Sequence, residues 1–326
     1  MSALPKGIHG MKVLSTFSGM GGSSLGYKMA GLDVIGCVEI HNHAVATYHL
    51  NHPSTHIFHR DITELGGKEI LKTLNLEKGE LDLLDGSPPC QGFSTAGKRI
   101  LQDDRNTLFR SFFRLVDELE PRNILIENVS GMIKGKMKYI AREIIQECKK
   151  RGYQTVCGMI KASSFGVAQM RPRVFFMGSK VGLPFFPKKT HHKIVTAKEA
   201  LKNIDPITMP KEQTDHNKKM MYMMKENETG QAAIKRTTKK WHNKHFGLQK
   251  LAKNRPSRTI IKTYTGFFHW TNRPLSIEEA LVLTGFPVDY KMVGTFRQKW
   301  ARIGNSVSPP VAKAIGEMFL SIGDKS

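Results

Sequence analysis

Between Lys12 and Ser179, six short apolar runs (KVLSTF, DVIGCVE, ELDLLDG, NILIEN, YQTVCGMI and RVFFMGS) alternate with longer amphipathic stretches. Strands that alternate with helices return to their sheet through crossovers, so the pattern predicts an α/β fold with a doubly wound, mostly parallel sheet of Rossmann-like type. In such sheets ligands bind beyond the carboxyl ends of the strands. The residues that follow each apolar run are therefore the first candidates for a site.

The chain has 326 residues, 40% of them hydrophobic, enough to bury a substantial core and to exclude disorder as the dominant state. Its 50 Lys+Arg against 28 Asp+Glu leave a net charge of +22, which points to a partner rich in phosphate without separating DNA, RNA and acidic membranes. Four cysteines, Cys37, Cys90, Cys148 and Cys157, form no CxxC pair, which argues for a reducing intracellular setting. Residues Met1 to Lys12 hold no apolar core of signal-peptide length, and no run approaches the roughly 20 apolar residues of a membrane span. A soluble protein is expected.

Beyond Pro184 the texture becomes rich in Lys, His and Met and loses clear periodicity. Residues 188–262 carry 19 Lys+Arg against 6 Asp+Glu, so this quarter of the chain supplies +13 of the net charge. It reads as a smaller basic lobe over 184–272, with a connecting, hinge-like helical stretch over 273–301. Leu275 to Tyr290 is predicted helical, and Ser308 to Ile322 is predicted as a closing helix after a Pro-Pro start. The main domain then spans 1–183 and is completed by 302–326.

The first run leads into Phe17-Ser18-Gly19-Met20-Gly21-Gly22, a tight turn at a helix N-terminus where backbone can approach a ligand closely. Glu39 follows the second run at a spacing suited to ribose hydroxyls, yet Ser24 stands where GxGxxG would place its third glycine, so a nucleoside without a pyrophosphate fits at least as well. Asp61, in Arg60-Asp61-Ile62, reads either as an acceptor for an adenine amino group or as a helix cap. More specific is Gly86-Ser87-Pro88-Pro89-Cys90-Gln91-Gly92-Phe93-Ser94, which puts the Cys90 thiol on a rigid turn at the sheet edge, with Lys98, Arg99 or a helix N-terminus available to lower its pKa. Cys37, Cys148 and Cys157 lack that setting and read as small buried hydrophobes. Glu127, in Glu127-Asn128-Val129, ends the neighbouring strand across the same pocket. In Gln169-Met170-Arg171-Pro172-Arg173, alternation turns Arg171 and Arg173 to one side, ready for a carboxylate or a base oxygen.

In this order FSGMGG, Glu39, Asp61, PPCQGFS, ENV, QMRPR, RPSRTI and GNSVSPP resemble the motifs of the DNA cytosine-5 methyltransferases, over nearly the whole chain apart from the basic lobe. The resemblance implies S-adenosylmethionine as cofactor, S-adenosylhomocysteine as product and no metal. It places Phe17, Ser18, Gly19, Gly21, Gly22, Glu39, Ile40, Asp61, Ile62, Pro88, Leu108, Asn305 and Ser306 around that cofactor. Phe17 would pack on adenine, Glu39 hold the ribose, Asp61 and Ile62 contact adenine, and Asn305 close the site. Two departures stand out: Ile40 replaces a bulky aromatic, and Ser87 a glycine.

The same resemblance implies a mechanism. Cys90 adds to C6 of a cytosine flipped from double-stranded DNA, Glu127 bonds ring N3, Arg171 holds the base carbonyl and positions Glu127, and Arg173 braces the site. The DNA-facing set comprises Gln91, then Ser94, Lys98 and Arg99 on a loop from Ser94 to Asn106, together with Arg236, Lys240, Arg258 and Thr259; His242, Asn243 and Arg255 are further candidates for reading base edges. The cluster Met220, Met221, Met223 and Met224 is expected to pack a core. Rival readings are an RNA cytosine-5 methyltransferase, a silent DNA-binding relative, and transfer of a modified methyl group. A catalytic motif so near Met1 suggests a bacterial or phage enzyme without a regulatory domain. It would be cytoplasmic and nucleoid-associated in action, monomeric, free of membranes, and either paired with a restriction endonuclease or alone.

Overall fold

The computed structural model describes residues 10–89, 107–133, 135–211, 213–239 and 247–323. Seven strands, β1 (Lys12–Thr16), β2 (Asp33–Val38), β3 (His56–Phe58), β4 (Leu83–Gly86), β5 (Asn123–Val129), β6 (Gln154–Lys161) and β7 (Pro172–Ser179), form one sheet in the order β3-β2-β1-β4-β5-β7-β6. β1 to β5 pair in parallel, whereas β7 runs antiparallel to both β5 and β6. The expected α/β architecture is therefore present. The chain order reverses between β1 and β4, so a crevice opens beyond the carboxyl ends of these two strands.

The two faces of the sheet follow the strand alternation. Val13, Leu83 and Leu125 face one core with Tyr27, Ile315 and Phe319; Leu14, Leu84 and Ile126 face the other with Phe109, Phe112 and Ile144. Helix α1 (Gly22–Met29) covers the first face, while α2 (Asn42–Asn51), α3 (Gly67–Leu74), α4 (Thr107–Leu119) and α5 (Lys138–Lys150) complete the crossovers. The basic segment contains α6 (Ala197–Ala200), α7 (Asp215–Met223), α8 (Gly230–Thr238) and a small sheet of β8 (Gln249–Lys250), β9 (Phe267–His269) and β10 (Arg273–Pro274). Met220, Met221 and Met224 pack there with Leu248 and Phe268, the core role expected of the methionine cluster.

Helix α9 covers only Ile277–Thr284, shorter than the predicted Leu275 to Tyr290. A capping box between Ser276 and Glu279 starts it, and Gly285 at φ 91° ends it in the left-handed conformation, just before Phe286-Pro287. Next, α10 (Phe296–Asn305) runs through the expected boundary at 301/302, carrying Trp300 into a core shared with Ile260 and Phe267 while its last turn reaches the crevice. The closing helix α11 (Pro309–Gly323) lies directly on α1: a Cβ on Gly26 would come within 2.4 Å of the Pro309 carbonyl oxygen.

Candidate active site

A cleft of about 560 Å³ occupies the crevice. At one end stands the turn after β1, where Phe17 (φ 54°), Gly19 (φ 58°) and Gly21 (φ 94°) all adopt left-handed backbone. For an aromatic residue that conformation costs about 1–2 kcal/mol, so the surrounding structure holds Phe17 there. α1 has neither a side-chain N-cap nor an acidic residue in its first turn, leaving its N-terminal amides free for a ligand. A Cβ at Gly22 would sit 2.3 Å from the Val307 carbonyl oxygen, so only glycine lets the GNSVSPP segment close over the turn.

Glu39 is buried and held by three backbone amides: Gly19 at 2.8 Å on Oε2, Ile40 at 3.0 Å and His41 at 2.9 Å on Oε1. Its orientation is thus fixed in advance, with lone pairs left for further donors. Asp61 caps a turn and also borders the cleft: its Oδ1 accepts from the Thr63 amide at 2.9 Å. Phe17, Ser18, Gly19, Gly22, Glu39, Ile40, Ile62, Pro88, Leu108, Asn305 and Ser306 line the same space. Gly21 does not; it backs onto the His52 ring, which a Cβ there would meet at 2.4 Å, and so shapes the turn from behind.

At the other end, Glu127 lies two residues before the end of β5 at Val129, with its carboxylate buried and Oε1 2.9 Å from Arg173 Nε. Here the structure corrects the sequence reading. Arg173, not Arg171, holds Glu127, whereas Arg171 is buried, donates to the carbonyls of Ile260 (3.1 Å) and Gly304 (2.9 Å), and does not line the cleft. Alternation puts both arginines on one side of the chain, but only the second is inside the sheet, level with β5. Burial, and then the charge of Arg173, lowers the Arg171 pKa to about 9, so it remains a cation at neutral pH.

Asn128 donates from Nδ2 to the Pro88 carbonyl at 3.0 Å and accepts from the Val129 amide at 2.8 Å. It thereby ties the Pro88-Pro89 turn to β5 immediately before Cys90. Cys90 itself, with Gln91, Ser94, Lys98, Arg99 and Lys240, lies outside the described residues, as do His242 and Asn243. Burial pushes the thiol pKa of Cys37 and Cys148 up to about 12 and that of Cys157 to about 11, so none of these is a ready nucleophile.

Asp85 was not singled out from the sequence, since an acid at a strand end resembles many turn residues. It is buried at the end of β4 and lines the cleft; Oδ2 accepts from Ser15 Oγ at 3.0 Å, while Oδ1 is buried without a hydrogen-bond partner. Burial raises its pKa to about 7, with Ser15 and Tyr27 opposing the rise and Glu127 adding to it. Lys262 and Arg302 also line the cleft. Among the expected DNA readers, exposed Arg236 is paired with Glu228 (2.8 and 3.0 Å) and bonds the Met223 carbonyl, so reading a base would require that pair to break. Arg258 is exposed and reaches the Asn227 carbonyl at 3.2 Å; Thr259 is half-buried beside it.

The family model of the C-5 cytosine-specific DNA methylases matches residues 11–321. The Type II methyltransferase M1.HphI of Haemophilus parahaemolyticus is 31% identical over 95% of this chain and 86% of its own length, and M.NgoMIV of Neisseria gonorrhoeae is 28% identical over 94% and 96%. Among solved structures, one described as a DNA modification methyltransferase encoded within an E. coli prophage aligns with TM-score 0.77 and 25% identity, covering 96% of this chain and 99% of the other. The Entamoeba histolytica methyltransferase EhMeth shares the fold at TM-score 0.70 and 18% identity, over 98% of this chain and 100% of its own. The chain belongs to the C-5 cytosine-specific DNA methylases and is a DNA cytosine-5-methyltransferase.

Proposed function

We propose that the cleft methylates C5 of a cytosine flipped out of a short specific sequence in double-stranded DNA, with Cys90 as the attacking nucleophile. The observation that carries this reading is the Glu127–Arg173 pair, buried at the same end of the cleft as the Pro88-Pro89 turn that leads into Cys90. The opposite end suits S-adenosylmethionine: Glu39 is oriented for ribose hydroxyls, Phe17 and Ile62 offer apolar surface to an adenine, and the buried Asp85 Oδ1 is an orphaned acceptor inside the same space. When bound, that cofactor supplies an electrophilic methyl group on a sulfonium sulfur and leaves as S-adenosylhomocysteine.

The Cys90 thiolate donates its electron pair to C6, forming the S–C bond and moving the ring π pair onto C5. Glu127 hydrogen-bonds ring N3 where charge develops, and Arg173 holds Glu127 in place and offers donors to the base carbonyl. Asn128 fixes the turn that presents Cys90. After C5 is methylated, loss of its proton to a base or water lets the electrons return to the ring and expel Cys90. No metal ion takes part. Flipping costs a few kcal/mol of unstacking, offset by phosphate contacts from the 94–106 segment and from the basic lobe 184–272, which reads the target sequence.

The enzyme would act as a cytoplasmic monomer, either beside a restriction endonuclease, in keeping with the Type II names of its relatives, or alone. No described helix is long and apolar enough to cross a membrane. The test is labelling of unmethylated DNA from tritiated S-adenosylmethionine by wild type and Cys90→Ala, with bisulfite mapping. A recurring motif methylated by wild type alone supports the proposal. Equal labelling by both proteins removes Cys90 from the mechanism, and labelling of RNA instead of DNA replaces the substrate.

A further inference from the structure

We propose that Asp85 is the counter-ion for the α-ammonium group of the cofactor's amino-acid tail and that its occupation is linked to release of a proton. The inference rests on the cofactor reading of the cleft and deepens it. Asp85 is 2% exposed, yet Oδ1 is without a hydrogen-bond partner and the residue lines the cleft. A buried carboxyl oxygen without a close hydrogen bond, with only the Tyr27 and Ser23 hydroxyls near the carboxyl, is costly unless a further donor satisfies it.

The surroundings supply no cation for it. β1 contributes Ser15, whose hydroxyl bonds Oδ2, and α1 contributes Ser23 and Tyr27, whose hydroxyls favour the carboxylate; the Tyr27 hydroxyl has no close partner, and burial and then the Asp85 charge raise its pKa well above the usual value. β5 contributes Glu127, whose charge is already met by Arg173 of β7. From the α11 side come Ser306 and Val307, neither of them titratable. The cleft's remaining charged or titratable groups are Glu39, which is bonded to three backbone amides, with His41, Arg60, Asp61, Lys262 and Arg302. Asp85 is therefore the buried carboxyl of the cleft with no cation paired to it among the described residues, on the same sheet face as Ser15 and beside the first turn of α1 and the GNSV segment.

In the free enzyme, burial holds the Asp85 pKa at about 7, so part of the population carries the proton near neutrality. An arriving ammonium group stabilises the carboxylate; the O–H bond of Asp85 breaks, its proton goes to buffer, and an N–H···O bond forms. The sign follows: binding is tight when Asp85 is ionised and weakens as pH falls through its free-state value.

Isothermal titration calorimetry with S-adenosylhomocysteine, and with 5′-methylthioadenosine as a probe without the amino-acid tail, tests this apart from turnover. For a group titrating at about 7, the dissociation constant for S-adenosylhomocysteine rises about eightfold from pH 7.5 to 6.0, and about half a proton is released per ligand at pH 7. Methylthioadenosine shows neither effect. In Asp85→Asn, S-adenosylhomocysteine binds at least about tenfold more weakly at pH 7.5, the loss of a charge-assisted bond, with the pH slope and proton release abolished. Its affinity for methylthioadenosine is retained. If Asp85→Asn keeps wild-type affinity and slope, or loses methylthioadenosine equally, Asp85 is not the ammonium partner. If the wild type binds neither compound, the cofactor reading of the cleft fails instead.

Discussion

Arg171 and Arg173 are two residues apart and chemically identical, yet the structure gives them different tasks, so replacing each by Met should affect turnover differently. Arg173 touches Glu127 at 2.9 Å, with the two side chains only 16% and 9% exposed. Removing it takes an aligned donor from the place where charge develops on the base, an effect of about 10²- to 10³-fold in kcat. Folding should lose about 2–3 kcal/mol, less than the full cost of stranding a buried charge because the cleft admits water. Arg171 instead bonds two buried carbonyls, those of Ile260 in the lobe and Gly304 in α10. Its loss leaves both acceptors unpaired at about 1–3 kcal/mol each, partly offset by no longer burying a guanidinium, so urea unfolding should show a loss of about 3 kcal/mol. Turnover by the folded fraction of Arg171→Met should stay within about tenfold of wild type, with KM for DNA raised as the lobe loosens. Single-turnover methylation at saturating DNA and cofactor, run beside urea denaturation, separates the two. If Arg171→Met loses turnover while Arg173→Met keeps it, the roles are those first read from the sequence and the geometric argument is wrong.

Three further outcomes follow. Gly22→Ala puts a Cβ within 2.3 Å of the Val307 carbonyl oxygen and 2.9 Å of Phe286 Cζ, so it should cost about 1–3 kcal/mol in urea unfolding and weaken cofactor binding; a neutral variant would mean that the last motif does not seat against α1. Asn128→Ala frees the Pro88-Pro89 turn and should lower kcat about tenfold or more while leaving KM for S-adenosylmethionine unchanged, a split that equal changes in both constants would contradict. Asp85 is raised to about 7 when folded from an ordinary 3.8, so its contribution to cofactor-free stability is fully present below about pH 4 and is lost as pH rises through 7. Asp85→Asn should accordingly stabilise the free protein at pH 8, at most by about 4 kcal/mol, with the gain shrinking steadily towards pH 4; a gain independent of pH would rule out titration of Asp85 as its source.

The sheet was legible because each of its long strands is a contiguous apolar run, and contiguity is visible in one dimension. β3 is only His56–Phe58, too short to register as a run. The lobe hid its order for a related reason: Met220, Leu248 and Phe268 come from three separate elements and form a core only once brought together. Motif spacing put Glu39, Glu127 and the glycine turn beside one another, since strand ends in a parallel sheet converge on one edge. What spacing does not carry is long-range pairing. Which arginine meets Glu127 depends on where β7 enters the sheet, and the partners of Arg171 lie 89 and 133 residues away. Gly21 was placed at the ligand because glycine there suggests close approach, but the approaching group is His52, behind the turn. Asp85 remained hidden because the distinction between an exposed turn acid and a buried one is made entirely by its neighbours.

The net charge of +22 would lead one to expect a basic cleft, and the cleft is instead divided. Glu39, Asp61 and Asp85 outnumber Arg60 at the end built after β2, β3 and β4, while Arg173, Lys262 and Arg302, from β7, the lobe and α10, outnumber Glu127 at the other. Charges interact strongly where burial keeps the effective dielectric low. A cation therefore gains at the first end and a phosphate-bearing strand at the second, and the two reactants are sorted by sign before either makes a specific contact. A sulfonium cofactor carries one positive charge more than its spent thioether, so the acidic end favours the methyl donor over the product. Removing any of its carboxylates should narrow that preference as well as weaken binding.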